Sequence, residues 1–300
     1  MVYFFGSRRM KYSQILQSIT QKLLPVYGQH DVAMNSAWQL FIQLTGLSRE
    51  KIITQDNFEV SVDQQKVLDG WLHDMIINHK PLAYVLGFAL FLDFELIIKP
   101  PILIPRPDTE CWVAQLITKL TQEYGTDYPL KVLDLCTGSG CIAIAFARAF
   151  KDSIVEGIDC MDYAVACAQE NKEELACPNV IFKQADLFEG ALLGAYDVIV
   201  ANPPYINKQD KETLEKSVSK WEAPEALFAD DQGYFLIEKI IGQAYQYLKP
   251  DHKNTQVWLE VGIGQAEQVD KIFQENNFIT EFLYDNAGIK RAVGGIIQIT

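Results

Sequence analysis

Nothing in this 300-residue chain reaches the ~18 consecutive apolar residues that a membrane-spanning helix requires. No membrane association is therefore expected. The opening MVYFFGSRRM puts apolar residues before basic ones, the reverse of a secretory leader, so residues 1–9 read as an extension ahead of Met10. Six cysteines occur (Cys111, Cys136, Cys141, Cys160, Cys167 and Cys177), but no C-x-x-C pair and no histidine at ligand spacing accompany them. No metal site is expected, and a reduced, cytoplasmic setting fits. Histidine is scarce: His30, His73, His79 and His252 all lie away from the turn-rich stretch near Asn202, so a histidine-driven nucleophile is not expected. A basic surplus is missing as well. Residues 1–105 hold nine Lys/Arg and nine Asp/Glu, whereas residues 106–300 hold 17 and 30, the whole of the net charge of −13. Such a surface repels phosphate backbones, so direct nucleic-acid binding is not expected and a protein partner is.

What is present is an ordinary globular composition, 49% hydrophobic and 22% charged, long enough for one large or two smaller domains. From residue 11 to about 78 the period is helical. Ile15, Ile19, Leu23 and Leu24 form one apolar stripe; Ala37, Leu40, Phe41 and Leu44 form a second; Val67, Trp71, Leu72 and Ile76 form a third. Asp31 or Asn35 could cap the second helix and Gly46 end it, while Ser61-x-x-Gln64 resembles a capping box. Residues 88–104 change to alternation, which predicts a hairpin. It leads into Pro105-Arg106-Pro107, read either as a proline-rich linker before a helix starting near Thr109, or as a rigid mount for a cation. The expected organisation is a helical substrate-recognition bundle (1–84), a hairpin linker (85–105) and an α/β domain (106–300).

Within that last part strands and helices alternate. Strands are expected at 131–135, 154–158, 180–184, 198–201, 256–261, 280–284 and 291–299, with helices at 142–150, 163–171, 235–248 and 265–277. Alternation of this kind yields a mostly parallel, seven-stranded, Rossmann-like sheet with helices on both faces. Ligands of such sheets sit at the carboxyl ends of the strands. Asp134, Asp159, Asp186 and Asn202 each stand at or just past such an end.

The first strand runs into Asp134-Leu135-Cys136-Thr137-Gly138-Ser139-Gly140, whose glycines allow close backbone approach to a ligand. Asp159, which ends the second strand, can accept both hydroxyls of a ribose. Gly138-x-Gly140-x-x-Ala143 also satisfies the dinucleotide fingerprint, so a nicotinamide enzyme competes at this point. Two features separate the readings. Asp134 directly before the loop suits a cationic group better than a pyrophosphate, and hydride transfer has no use for Asn202-Pro203-Pro204-Tyr205. S-adenosylmethionine supplies ammonium, ribose and adenine together, with Asp186 in reach of the adenine amine.

Asn202-Pro203-Pro204-Tyr205 follows the apolar run 196–201. Two prolines fix two φ angles and remove two donors, leaving carbonyls free. Asn202 Oδ1 and the Pro203 carbonyl can accept the two N–H bonds of a planar amino group, and Tyr205 can stack on its plane. An amide nitrogen is a poor nucleophile, so holding it in line is the main lever. Acceptors that strengthen as that nitrogen becomes cationic stabilise the transition state selectively. The simpler alternative is a strand-terminating Asn-Pro turn.

The segments D-L-C-T-G-S-G, Asp159, Q-A-D-L-F at 184–188 and N-P-P-Y resemble class I, Rossmann-like methyltransferases acting on planar amino groups. P-L-A-Y-V-L-G at 81–87 and I-P-R-P-D-T-E at 104–110 resemble, within that class, the peptide chain release factor N5-glutamine methyltransferases; so do L-E-V-G at 259–262 and D-N-A-G-I-K-R at 285–291. The resemblance spans residue 20 to the end. It departs at Leu92, where the family has an aromatic, and at Pro224, which is displaced by one position. The resemblance implies S-adenosyl-L-methionine as cofactor, S-adenosyl-L-homocysteine as product and no metal. Cofactor contacts would come from Asp134, Cys136, Thr137, Gly138, Ser139, Gly140, Asp159, Asp186, Leu187 and Asn202. Asn202, Pro203 and Tyr205 would be catalytic, with Pro204 and Arg106 also at the substrate. The implied substrate is the Gly-Gly-Gln glutamine of bacterial class 1 release factors, docked by the helical part of a monomeric enzyme. N6-adenine nucleic-acid methyltransferases and the ribosomal protein L3 glutamine methyltransferase share N-P-P-Y. The acidic body disfavours the first and residues 105–110 the second; a non-catalytic scaffold would not need Asn202.

Overall fold

A computed structural model describes residues 9–55, 57–192, 195–249 and 256–297. It divides into two compact units: the chain up to Gly87 with Lys216–Trp221, and Phe88–Glu215 with the chain from Glu222 onward.

The first unit is built from helices α1 (Tyr12–Tyr27), α2 (His30–Thr45), α3 (Arg49–Gln55), α4 (Val62–Ile76) and α5 (Leu82–Leu86). Ile15, Ile19 and Leu23 meet Ala37, Leu40 and Phe41 in its core, as their spacing predicts. Each such aliphatic side chain contributes roughly 1.5–3 kcal/mol by leaving water. The stripe of α4 is rotated from expectation: Leu68, Leu72 and Met75 are buried, while Val67 stands out in solvent. Gly46 closes α2 in the left-handed conformation, and Ser61 and Gln64 form a reciprocal capping box. At the start of α2 the cap is Gln29, with Asp31 inside the first turn, where its charge meets the helix dipole. Two three-residue strands, β1 (Arg9–Lys11) and β2 (Asn57–Glu59), pair antiparallel and carry too little pattern to be read from sequence.

The second unit opens with the hairpin β3 (Phe88–Phe91) and β4 (Phe94–Ile97). The expected extension to residue 104 does not pair; the ladder stops at Ile97, where Asn171 Oδ1 accepts the backbone N–H at 2.6 Å. Helix α6 (Pro107–Tyr124) then begins two residues earlier than expected, because proline tolerates the first helical position, where no N–H is needed.

The sheet follows: β5 (Lys131–Leu135), β6 (Ile154–Asp159), β7 (Val180–Gln184) and β8 (Val198–Ala201), with α7 (Cys141–Ala149) and α8 (Asp162–Glu174) as crossovers. After β8 come the short pair β9 (Ile206–Asn207) and β10 (Phe228–Ala229), with the single turns α9 (Lys216–Ser219) and α10 (Pro224–Leu227) between them. Then come α11 (Phe235–Ala244), β11 (Gln256–Glu260), α12 (Ala266–Glu275), β12 (Phe278–Tyr284) and β13 (Lys290–Ile297). Strand order is β12-β13-β11-β8-β5-β6-β7, with β13 antiparallel to both neighbours and the rest parallel. Residues 198–201 and 256–260 are buried throughout, as strands covered on both faces must be. Gly294 and Gly295 let β13 lie under Trp258 and Phe273; an added Cβ would come within 2.6 and 2.4 Å of those rings. The chain leaves β5 toward β6 and later returns to β8 on β5's other side, so the crevice of the sheet opens at the carboxyl ends of β5 and β8.

Candidate active site

The loop after β5 turns on three left-handed residues, Cys136 (φ 57°), Gly138 (φ 55°) and Gly140 (φ 81°). A Cβ on Gly138 would meet nothing within 4 Å, so its backbone faces open space, whereas one on Gly140 would strike Phe182 at 2.8 Å. The first glycine thus leaves bare backbone toward open space, and the second lets the loop pack against Phe182 of β7 and Ala168 of α8. Asp134 is fully buried: its Oδ2 accepts from the Thr137 hydroxyl at 2.6 Å and the Ala143 N–H at 3.1 Å, while Oδ1 has no partner among the described residues. Burial pushes its carboxyl up to about 7, against the lowering effect of those two hydrogen bonds. Asp159 accepts the Gly138 N–H at 2.9 Å and the Met161 N–H at 3.0 Å, one on each oxygen. A carboxylate has about four acceptor positions, so both oxygens can still take hydroxyl donors. Burial raises its pKa too, opposed by these backbone bonds. Asn171, fully buried on α8, donates to the Ser139 carbonyl at 3.0 Å and the Ile97 carbonyl at 3.1 Å, tying loop to hairpin.

At the end of β8 the Asn202 amide donates from Nδ2 to Thr109 Oγ1 at 3.3 Å. Thr109 in turn donates to Glu260 Oε2 at 2.6 Å, where Trp112 Nε1 also donates at 2.7 Å. The Tyr205 hydroxyl donates to Glu260 Oε1 at 3.2 Å, and burial beside that carboxylate raises the phenol's pKa. The Tyr205 carbonyl accepts from Gln265 Nε2 at 3.0 Å, and Gln265 Oε1 takes the Gly262 N–H at 2.9 Å. Gly233 presses on that same carbonyl, only 2.1 Å from where a Cβ would stand. The turn is therefore clamped from α6, β11, Gln265 just before α12, and residue 233. Among the described residues, none donates to Asn202 Oδ1 or to the Pro203 carbonyl.

Between the two turns lies a cavity that opens to solvent at its mouth. Cys136, Gly138, Asp159, Asp186, Leu187, Asn202 and Pro204 line it, from among the residues expected at the site. Asp134, Thr137, Ser139 and Gly140 are close by in the loop but do not line it, nor do Pro203 and Tyr205. Arg106 is outside it as well: Nη2 is paired with the buried Glu222 carboxylate at 2.5 Å. Asp186 is paired with Lys239 at 2.9 Å. Residues not anticipated also form the wall, among them Leu103, Tyr163, Glu225 and Leu236. Their signal in the sequence was faint: Leu103 reads as part of the hairpin, and the others sit in segments legible only as turn or helix. Three carboxylates, Asp159, Asp186 and Glu225, face the space, and among the described lining residues there is no Lys, Arg or His. Such a wall suits a ligand with positive charge.

A fold of this topology with ligand loops at these strand ends defines an α/β methyltransferase. Residues 113–239 match the Methyltransferase small domain, and a methyltransferase from Pyrococcus furiosus superposes with a TM-score of 0.50 over 80% of this chain and all of that one, at 15% identity. Residues 14–87 match the PrmC N-terminal domain. A release factor glutamine methyltransferase from Thermodesulfovibrio yellowstonii is 30% identical, covering 91% of this chain and 95% of its own. That from Geobacter sulfurreducens is 32% identical over 93% and 94%, and that from Escherichia coli 34% over 78% and 81%. The chain belongs to the release factor glutamine methyltransferase family, and it is an enzyme of methyl transfer. Among the described residues, no helix is long and apolar enough to cross a membrane.

Proposed function

We propose that this enzyme methylates the side-chain nitrogen of the glutamine in the Gly-Gly-Gln motif of a peptide chain release factor, using S-adenosyl-L-methionine. The observation that carries the reading is Asn202. Its NH2 end is committed to Thr109, so a pure acceptor, Oδ1, is left beside an acid-lined cavity. An acceptor pair made of Oδ1 and the Pro203 carbonyl fits the two hydrogens of a primary amide. S-adenosylmethionine bound in the cavity supplies an electrophilic methyl on its sulfonium.

Asp159 would hold the ribose hydroxyls, Gly138 would admit the ligand against bare backbone, and the unpartnered Oδ1 of Asp134 would face the ammonium side. Asp186 and Tyr163 would serve the adenine end. The grip of Asn202 and Pro203 tightens as positive charge develops on the amide nitrogen, and that differential grip lowers the barrier. Once the nitrogen has become cationic its proton leaves to water. The three lining carboxylates disfavour a dinucleotide, whose pyrophosphate would face them. We further assign recognition of the factor to the N-terminal helical unit, and place the enzyme in the cytoplasm.

The test is incubation with radiolabelled S-adenosylmethionine and, side by side, purified release factor, ribosomal protein L3 and DNA. Label is expected on the release factor alone, at the motif glutamine. Label on DNA or L3 at an equal rate would overturn the assignment.

A further inference from the structure

Glu260 is 2% exposed, carries no role in the chemistry above, and yet stands at the centre of the hydrogen bonds behind the substrate turn. Its Oε2 receives the only hydroxyl hydrogen that Thr109 has, at 2.6 Å. With that hydrogen spent, Thr109 Oγ1 can only accept from Asn202 at 3.3 Å. The asparagine must then turn its NH2 toward Thr109 and its carbonyl toward the cleft. We propose that Glu260 is a positioning and specificity-determining residue: through Thr109 it fixes the orientation of the Asn202 amide, and so makes the site select a carboxamide over a carboxylate.

The logic depends on Glu260 being an acceptor at both oxygens. A carboxylate takes hydrogen from Thr109, Trp112 and Tyr205 together and offers none back. An aliphatic side chain of similar size, leucine, removes that acceptor and releases the threonine hydrogen to point at Asn202, whose amide can then reverse. A carboxamide would not do so: Trp112 Nε1 can only donate, so it holds the amide oxygen at the Oε2 place and the NH2 turns to the Tyr205 hydroxyl. The reversed asparagine shows NH2 to the cleft, where it opposes the substrate's own NH2 and welcomes a carboxylate oxygen. The same turn is held from the other side by Gln265 and Gly262, so its backbone stays in place while the amide turns over.

This inference rests on the proposed reading of the site as an amide-gripping one. The experiment therefore compares the wild type and four variants of the full-length enzyme: Glu260→Leu, Thr109→Val, Thr109→Ser and the Glu260→Leu/Thr109→Val double. Substrates are a release factor with its Gly-Gly-Gln motif and the same factor with that glutamine changed to glutamate. The wild-type rate on the glutamine factor tests the functional reading; the variants relative to it test the relay. Glu260→Leu and Thr109→Val are expected to lose tenfold to a hundredfold in kcat, with cofactor Kd within twofold. Thr109→Ser, which keeps the hydroxyl, should stay within threefold. The double variant should be no worse than the poorer single one. In Glu260→Leu the binding preference for the glutamine factor over the glutamate factor should fall at least fivefold, a change that mere loosening of the fold does not produce. The proposal is overturned if Glu260→Leu keeps both kcat and preference. It is also overturned if the two single losses multiply in the double variant, or if cofactor affinity falls as far as kcat. Should Glu260→Leu fail to fold, the kcat and preference of Thr109→Val and Thr109→Ser decide alone.

Discussion

Replacing Asn202 by alanine removes one half-buried side chain that makes a single 3.3 Å hydrogen bond and no core contact. Thr109 keeps its bond to Glu260, so no buried donor is orphaned, and the stability loss should stay near ~0.5–1.5 kcal/mol. Cofactor affinity should change little, since the carboxylates of the cavity wall are untouched. The rate should not be spared. Losing one preorganised partner of a developing charge costs about 2.7–4 kcal/mol by analogy with oxyanion-hole donors, and at ~1.36 kcal/mol per decade that is roughly 100- to 1,000-fold in kcat. Single-turnover methylation of the release factor at saturating cofactor isolates this step from binding and product release. Cofactor Kd by calorimetry and unfolding midpoints in urea complete the assay. A variant that transfers methyl within threefold of wild type would refute the amide-gripping role of this turn. A variant that lost activity only in proportion to cofactor binding would move Asn202 to the cofactor instead.

Asp159→Ala should weaken cofactor binding by about one to two decades, from loss of hydrogen bonds to a charged group worth ~1.5–3 kcal/mol; unchanged calorimetric binding would exclude the ribose role. Gly233→Ala should destabilise the fold by roughly 1–3 kcal/mol and slow transfer, because the residue adopts φ 95° and its Cβ would fall 2.1 Å from the Tyr205 carbonyl. Urea unfolding gives the first effect and single-turnover rates the second. Asp134, pushed up to about 7, should make cofactor affinity rise as pH increases through that value, because the cationic ligand favours the ionised carboxyl. In the free enzyme the sign reverses: the unfolded chain releases this proton near ~3.9. The folded state binds more protons between about 4 and 7, so this group's contribution to stability falls as pH rises across that window. Asp134→Asn should flatten both trends, measured as Kd and urea midpoint against pH.

The α/β half was readable because central strands are short apolar runs with distinct ends. Strands 131–135, 180–184 and 198–201 coincide with expectation to the residue, and 154–159 exceeds it by one. Helix 235–248 was too long, since Tyr245 to Tyr247 form turns after α11 ends at Ala244 and Leu248 bridges to Tyr196. The final strand was expected to reach 299; its paired part ends at Ile297, and residues 298–300 lie outside those described. Residues 206–233 gave no usable period, being a two-residue ladder and single turns. The loop acids and Asn202 were legible because strand ends announce them. Glu260 was not, as it looks like one more strand residue. Its partners Thr109 and Trp112 lie 151 and 148 positions away on α6, and only the packing of that helix on the sheet brings them together.

That separation has a consequence for a chain emerging from the ribosome. The cofactor loop and the Asn202 turn have both been synthesised by residue 205, but the clamp that aims the amide waits for Glu260 and Gln265. The strand that seats Glu260 is itself flanked by β13, which is made later still. A nascent chain that has reached residue 205 therefore carries the cofactor loop and the Asn202 turn without the carboxylate that orients the acceptor. The asparagine that grips is synthesised well before the carboxylate that aims it.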